Sequence, residues 1–498
     1  MNKHKKQETS LGDFMVPLVD LMTILITKGI EGFAKLITFG IERAVNYTIS
    51  DIKKIDRKQL LGDKSTSSFD SIGFSLTSKK EIKGSDVNKS KHSLVVGASG
   101  SGKSVLLDTL MFDDMREGKP VIYIDPKGDN ESLERFIDLC RLNNREYLIF
   151  SEHYNQDGKI RLNPVMEGSI NHITDRVFKS FTWSEEFYAN KCQQALRKSI
   201  KSLRLESKIV SIKSIYEELN LLCDSKEKDF KVNKSEIGSL LTKLENIIDS
   251  DFGELLHGSD AFSFSKLREQ NKCVYIGLSV LRYAETARAI GKLFLGDLNY
   301  SVYHTYRNIT SVSKAQIKPL GLYIDELSAV ITDEFVEILN KCRGAKVEIT
   351  SAFQTSSDIN KISPELCQQV FENSLNWYVM KQRMQDAAEL ISHSIGTIES
   401  TKKTVRVEDN EEQSMGSQRD VEELIVHPNI IKNLNVGQCV LFRQQPTRLD
   451  LINVKYINQE TIDKNLFYFE TNNYINKRKQ KVIESTKEKK INRGALHV

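Results

Sequence analysis

Eight consecutive residues, Gly97, Ala98, Ser99, Gly100, Ser101, Gly102, Lys103 and Ser104, spell the GxxxxGK[ST] pattern. They lie between the apolar, strand-like SLVV and the helix-like VLLDTLMFDDM that opens at Val105. Glycines at these positions let the backbone curl so that successive N–H groups face phosphate oxygens. Lys103 can then bridge terminal phosphates, and the Ser104 hydroxyl can ligate magnesium. A glycine-rich turn is the plain alternative, but the strand-loop-helix setting lowers the odds of a chance match. The expectation is ATP along Gly97–Val105 with Mg2+ on Ser104.

Hydrolysis at such a loop needs an acid at the end of a neighbouring buried strand to hold magnesium, with a second carboxylate for the attacking water. LGLYIDE, residues 320–326, offers both: Asp325 for the metal and Glu326 to orient or deprotonate water. The same pair could simply cap the following helix. VIYIDPKGD, residues 121–129, is a second buried strand ending in acid, and its Pro126 and Gly128 predict a tight turn at the ligand-binding edge of the sheet. Asp125 is therefore a rival for the metal, and Asp325 is preferred because it alone carries the paired glutamate. VEITSAFQ ends in Gln354, an amide able to sense a γ-phosphate. Arg343 precedes that strand and Arg383 follows NWYVMK; either guanidinium could reach the nucleotide of an adjacent subunit. A strand-edge glutamine and solvated arginines are the dull alternatives.

These residues need a frame. SLVVG, VIYID, EYLIF, CVYIGLS, LGLYIDEL, VEITSAFQ, NWYVMK and GQCVLFRQ are short, nearly continuous apolar runs separated by helical stretches. That pattern means a parallel sheet buried on both faces. The fold class is α/β: a P-loop, RecA-like, mostly parallel sheet with helices on both faces, plus an inserted all-α domain. The ATPase domain is expected over 92–165 and 269–457, and residues 166–268, which keep only the helical period, form the insert. Residues 50–91 read as a linker, although IGFSLT alternates like a strand. Residues 458–498 read as a polar, basic tail with eight Lys or Arg at 477, 478, 479, 481, 487, 489, 490 and 493. Such a tail is usually a solvated, frayed end.

The chain has 498 residues, 39% hydrophobic and 28% charged with 8 prolines, which excludes disordered and collagen-like classes. A net charge of +4 is too near neutral to name a nucleic-acid partner, so any basic signal must be local. Seven scattered cysteines without CxxC spacing argue for a reducing compartment and against structural zinc. No secretory signal is apparent. The apolar runs between Phe14 and Ile41 carry Pro17, Asp20, Lys28, Glu31 and Lys35, and are too interrupted for a membrane span. Residues 1–49 read as an amphipathic helical segment, either packed on the main domain or, over 11–45, in peripheral contact with a membrane.

Taken together, LVVGASGSGKS, VIYIDPKGD, RLNPV, LYIDELSAV, RGAKVEITSAFQTSSDI, NSLNWYVMKQRMQDAAELISHSIGT and SQRDVEELIVHPNIIKNLNVGQCVLFR resemble the TraD/TraG coupling proteins of conjugative type IV secretion, within the FtsK and HerA group of ring ATPases. The resemblance covers roughly residues 90–457. It implies a homo-hexamer that uses ATP to bring relaxase-bound single-stranded DNA to components of the secretion channel, with the helical domain toward the cytoplasm. It implies a place at the inner face of the bacterial cell membrane, here peripheral, because the family's two N-terminal spans are not expected. The family's C-terminal specificity domain is expected to be missing or reduced to the basic tail. Other readings are a secretion-assembly ATPase that never touches DNA and a nucleotide-gated cargo platform with little turnover.

Overall fold

The computed structural model describes residues 54–55, 59, 71–225, 231–308, 317–408, 411–460 and 462–464. The N-terminal segment with its membrane-contact stretch 11–45, most of the linker up to residue 70, and the basic run from 477 lie outside the described residues.

Eleven strands form one sheet: β1 Ser71–Ser75, β2 Glu81–Lys83, β3 Ser93–Val96, β4 Val121–Asp125, β5 Tyr147–Phe150, β6 Cys273–Gly277, β7 Leu320–Ile324, β8 Val347–Phe353, β9 Asn376–Val379, and, after a separate ribbon, β12 Gln438–Gln444 and β13 Thr447–Val454. Their order is β2-β1-β13-β12-β9-β3-β8-β7-β4-β6-β5. From β9 to β5 all neighbours are parallel. The other four strands extend one side by antiparallel pairing.

Every residue of β3, β4, β6 and β7 is buried. Successive side chains point to opposite faces, so a strand covered on both sides must be apolar throughout. Leu94, Val96, Ile122 and Ile124 belong to the core shared with helix α8 (Ala284–Asn308) and helix α9 (Asp333–Lys341). Val95 and Tyr123 face the other core, against helix α1 (Lys103–Arg116) and helix α2 (Asn130–Leu142).

Between β5 and β6 the chain is mainly helical: α3 Ile170–Ser180, α4 Glu186–Leu205, α5 Ile212–Asp224, α6 Lys234–Ile248 and α7 Phe264–Gln270. Ser169, Ser211, Asn233 and Ser263 cap α3, α5, α6 and α7, each side chain accepting from a first-turn N–H that the helix leaves unpaired. Leu196, Ile200, Leu219 and Leu244 bury into the same apolar cluster as Ile122 and Phe294. The insert and the sheet thus share one core.

Three features differ from the sequence reading. The segment read as linker supplies β1 and β2, with Gly73 paired to Val454, because Ile72 fits the core beside Ile452. A long antiparallel ribbon, β10 Thr397–Glu408 and β11 Glu411–Leu424, interrupts the alternation of strand and helix. The beginning of the tail is docked: Ile462 is buried, and Gln459 donates to Asp138 at 3.1 Å. Among the described residues no helix is long and apolar enough to cross a membrane.

Candidate functional site

At the carboxyl edge of the parallel strands the chain leaves β3 into the glycine-rich loop. Gly97 N–H donates to the Phe353 carbonyl at the end of β8 (3.3 Å), and Ala98 N–H to the Lys381 carbonyl beyond β9 (2.8 Å). Ser101 accepts from Gly437 N–H at 3.0 Å, just before β12. A Cβ on Gly97 would stand 2.6 Å from Ser101 Oγ and 2.7 Å from Met380 Cβ, so only glycine fits. Gly102 turns the chain into α1 at φ +101°, a conformation that side chains resist. Since α1 starts at Lys103, the first-turn N–H groups have no partner within the helix, and with the helix dipole they form an anion cradle. Lys103 Nζ donates to the Gly97 carbonyl at 2.6 Å, holding the ammonium on the loop. Burial lowers the Lys103 pKa, opposed by the nearby charges of Asp325 and Glu326.

β4 and β7 are neighbours, paired Tyr123 to Tyr323 and Ile124 to Ile324, so their terminal acids sit side by side. Asp125 is fully buried, and both its oxygens are engaged: Oδ2 accepts from the Tyr275 hydroxyl at 2.8 Å and Oδ1 from Lys127 N–H at 3.0 Å. Burial pushes its carboxyl up to about 6. This acid clamps its own turn. Gly128, at φ +62°, continues that turn where a Cβ would stand 2.7 Å from Ser279 N.

Asp325 is also buried, and its Oδ1 accepts from Glu326 N–H at 3.0 Å, but its only side-chain donor among the described residues is the half-exposed Lys127 ammonium, 3.4 Å from Oδ2. Desolvation acts first on Lys127, lowering its pKa, yet the attraction of Asp325 and Asp125 leaves it raised. Glu326 follows in the left-handed region at φ 53°, and for a residue with a Cβ such a conformation costs free energy. Its Oε2 accepts from Gln354 Nε2 at 3.1 Å. Asp325, Glu326 and Gln354 therefore converge beside the loop of Lys103 and Ser104.

Arg383 donates to the Ser99 carbonyl at 3.2 Å, so it lies on the phosphate loop of its own chain. Arg343 does not join this group. It is exposed in the turn between α9 and β8, at the amino end of a strand whose far end meets Gly97. At about 3.3 Å per strand residue, the length of β8 separates it from the loop of its own subunit.

Four contributors were not singled out from sequence. Lys127 sits inside DPKGD, and its charge two residues after a strand-end acid was a usable signal. Tyr275, Gln382 and Gly437 had none: Tyr275 is defined by its bond to Asp125, Gln382 by burial and a 3.3 Å donation to the Gln354 carbonyl, and Gly437 by its contact with Ser101. The loop, with its crowded glycine, fits a nucleoside triphosphate. A hydroxyl at Ser104 with one carboxylate at Asp325 also fits magnesium, which is usually held by one or two protein ligands plus phosphates and water.

The AAA-like domain family matches residues 72–293, and the family described as the TraM recognition site of TraD and TraG matches residues 319–436. The chain belongs with the TraD/TraG-type coupling proteins. No curated protein matches it. Among solved structures, the unbound bacterial conjugative coupling protein TrwB is 16% identical over 82% of this chain and 94% of that chain, with a TM-score of 0.59. TrwB in complex with ADP and Mg2+ is 17% identical over 82% and 95%, with a TM-score of 0.56. VirB4 of Thermoanaerobacter pseudethanolicus is 15% identical over 80% and 99%, with a TM-score of 0.50. At these identities the likeness is one of fold, and this coupling-protein chain shares with them its sheet and helices.

Proposed function

We propose that this coupling protein is a Mg2+-dependent, ATP-hydrolysing motor, working as a homo-hexamer, that brings relaxase-bound single-stranded DNA to a type IV secretion channel. The observation that carries the reading is the 3.1 Å bond from Gln354 to Glu326, which brings a polar amide and the proposed base together at the edge where the phosphate loop opens. Solved TrwB structures with ADP and Mg2+ and with a non-hydrolysable ATP analogue support the choice of nucleotide and metal.

In this reading the loop N–H groups after Ala98 and those of the first turn of α1 bind the phosphates, while Gly97 and Ala98 hold the loop to Phe353 and Lys381, and Lys103 neutralises the terminal phosphates. Ser104 and Asp325 would hold magnesium, which would supply charge neutralisation at the phosphates. Glu326 orients the attacking water and takes its proton, and its left-handed backbone turns the carboxylate toward Gln354. Gln354 links that carboxylate to the γ-phosphate position. Arg383 offers a guanidinium from within the subunit, whereas Arg343 could act only across a subunit boundary. A peripheral position at the inner face of the membrane, through residues 11–45, belongs to the same proposal.

The test is steady-state ATP hydrolysis by the purified full chain with and without single-stranded DNA. DNA should raise the rate; one rate under both conditions overturns the coupling to DNA. The fold likeness to VirB4 favours a second reading, a secretion-assembly ATPase that makes no DNA contact. DNA affinity that falls steeply with salt, as phosphate contacts release counterions, separates the motor from that alternative.

A further inference from the structure

Where the turn between α3 and α4 meets α6 and the first turns of α8, the molecule holds a cavity of about 550 Å³, within the ~300–1,000 Å³ range of ligand sites. Three cations line it: Lys243 from α6, and Arg288 and Lys292 from α8. Arg288 and Lys292 are one helical turn apart, a spacing at which like charges repel. Burial and then Arg288 push the Lys292 ammonium below the usual lysine range. Glu185 and Glu285 stand on the same lining, yet among the described residues none of the three cations has a carboxylate partner.

Beside the cations lies a fixed aromatic plate. Trp183 stacks on Phe178 with centroids 5.0 Å apart and planes 12° apart, and its indole N–H is tied to the Phe178 carbonyl at 2.9 Å. Lys243 Nζ sits 5.9 Å from the ring centres of both Trp183 and Phe181. Clustered positive charge without acidic partners, next to an immobilised indole, is how proteins hold single strands: cations track phosphates while bases stack on rings.

The geometry points to this cavity as a binding site for one or two nucleotides of a single-stranded nucleic acid, with phosphate at Lys243, Arg288 and Lys292 and a base against Trp183. The inference rests on the DNA-handling role proposed above and gives the strand a place on the chain. α8 continues from the segment in which Leu278 and Val280 donate to the Asp125 and Pro126 carbonyls at 3.0 and 2.8 Å, so the strand site and the acid turn share one stretch of backbone.

The experiment measures binding of a fluorescent 20-mer oligothymidine to the full chain across a salt series, for wild type, Arg288→Gln with Lys292→Gln, and Arg288→Glu. Arg288 is exposed, so its replacement leaves the core intact. Affinity should fall at least tenfold in the double variant. The slope of log affinity against log salt should shrink by about one per phosphate contact removed. ATP hydrolysis without DNA should hold at the wild-type rate, while its stimulation by DNA should drop. Wild-type affinity and slope in both variants would overturn the site and leave the motor reading standing. No binding of the oligonucleotide by wild type would overturn both. Displacement of the strand by oligoglutamate as readily as by unlabelled oligothymidine would overturn nucleic acid as the occupant.

Discussion

Two neighbouring strands of this sheet run out through the same three letters. β4 finishes Tyr123-Ile124-Asp125 and β7 runs through Tyr323-Ile324 into Asp325, and the two pair in register from Val121–Gly321 to Ile124–Ile324. Both aspartates are buried at the same edge, yet their surroundings assign them different work. Tyr275 and the Lys127 N–H occupy the oxygens of Asp125, which thereby holds the DPKG turn shut. Asp325 takes the Glu326 N–H on Oδ1 and, as its only side-chain donor among the described residues, a half-exposed lysine on Oδ2, and its next residue is twisted so that a second carboxylate meets Gln354. The tyrosines diverge in the same way: the Tyr323 hydroxyl donates to Asp114 at 2.6 Å, beneath α1, while Tyr123 packs edge-on against Tyr275 with centroids 5.6 Å apart. The partners around a strand-end acid, more than its local sequence, decide whether it can hold a ligand.

That contrast can be attacked from both sides. The largest effect is expected from Glu326→Gln, which keeps the shape and removes the base. Turnover should fall ~10²–10⁴-fold with nucleotide binding retained, as read by steady-state hydrolysis and a fluorescent-nucleotide titration. Undiminished turnover would sink the assignment of roles to the β7 end. Next is Tyr275→Phe on the β4 side, which strips a donor from a buried carboxylate and should cost about 1–3 kcal/mol in urea unfolding while turnover persists. A large loss of turnover with unchanged stability would place Asp125 in the chemistry instead.

The smallest effect concerns pH. The Asp125 carboxyl is pushed up to about 6 by burial, so the folded state binds its proton more tightly than the unfolded chain. Its stabilisation is complete below the unfolded carboxylate range and is lost as pH rises through about 6. Asp125→Asn should remove that component, making the urea midpoint fall less than the wild-type midpoint between pH 4 and 6. Asp108 and Asp297 are raised to about 6 as well, so the difference between the two curves, not either alone, reports Asp125. Parallel curves would show that Asp125 titrates normally.

The parallel sheet was legible because its strands are buried on both faces and read as uninterrupted apolar runs. The phosphate loop was legible because glycine, lysine and serine at fixed spacing have one efficient use. β1, β2 and the ribbon were less so. Ser71–Ser75 and Glu81–Lys83 are short and polar at alternate positions; the first is fixed by pairing with β13, far along the chain, and the second by pairing with the first. The ribbon sequences TIESTKKTVRVE and EEQSMGSQRDVEEL carry too few apolar residues to announce a sheet. Within the site, residue types could be read but partners could not. Nothing in DPKGD reveals that Tyr275 claims Asp125, and nothing near Arg343 reveals that its strand points the wrong way for its own nucleotide.

The position of β3 also has a consequence in time. It lies between β8 and β9, and its loop is closed by Phe353, Lys381 and Gly437. A ribosome releases residues 97–105 long before any of these, so the strand that carries the loop emerges with both flanks missing. Closing such distant pairs is slow because loop entropy must be met before contacts form. The nascent chain therefore cannot complete its phosphate cradle until residue 437 has left the tunnel, and nucleotide can stabilise the folded site only after that point.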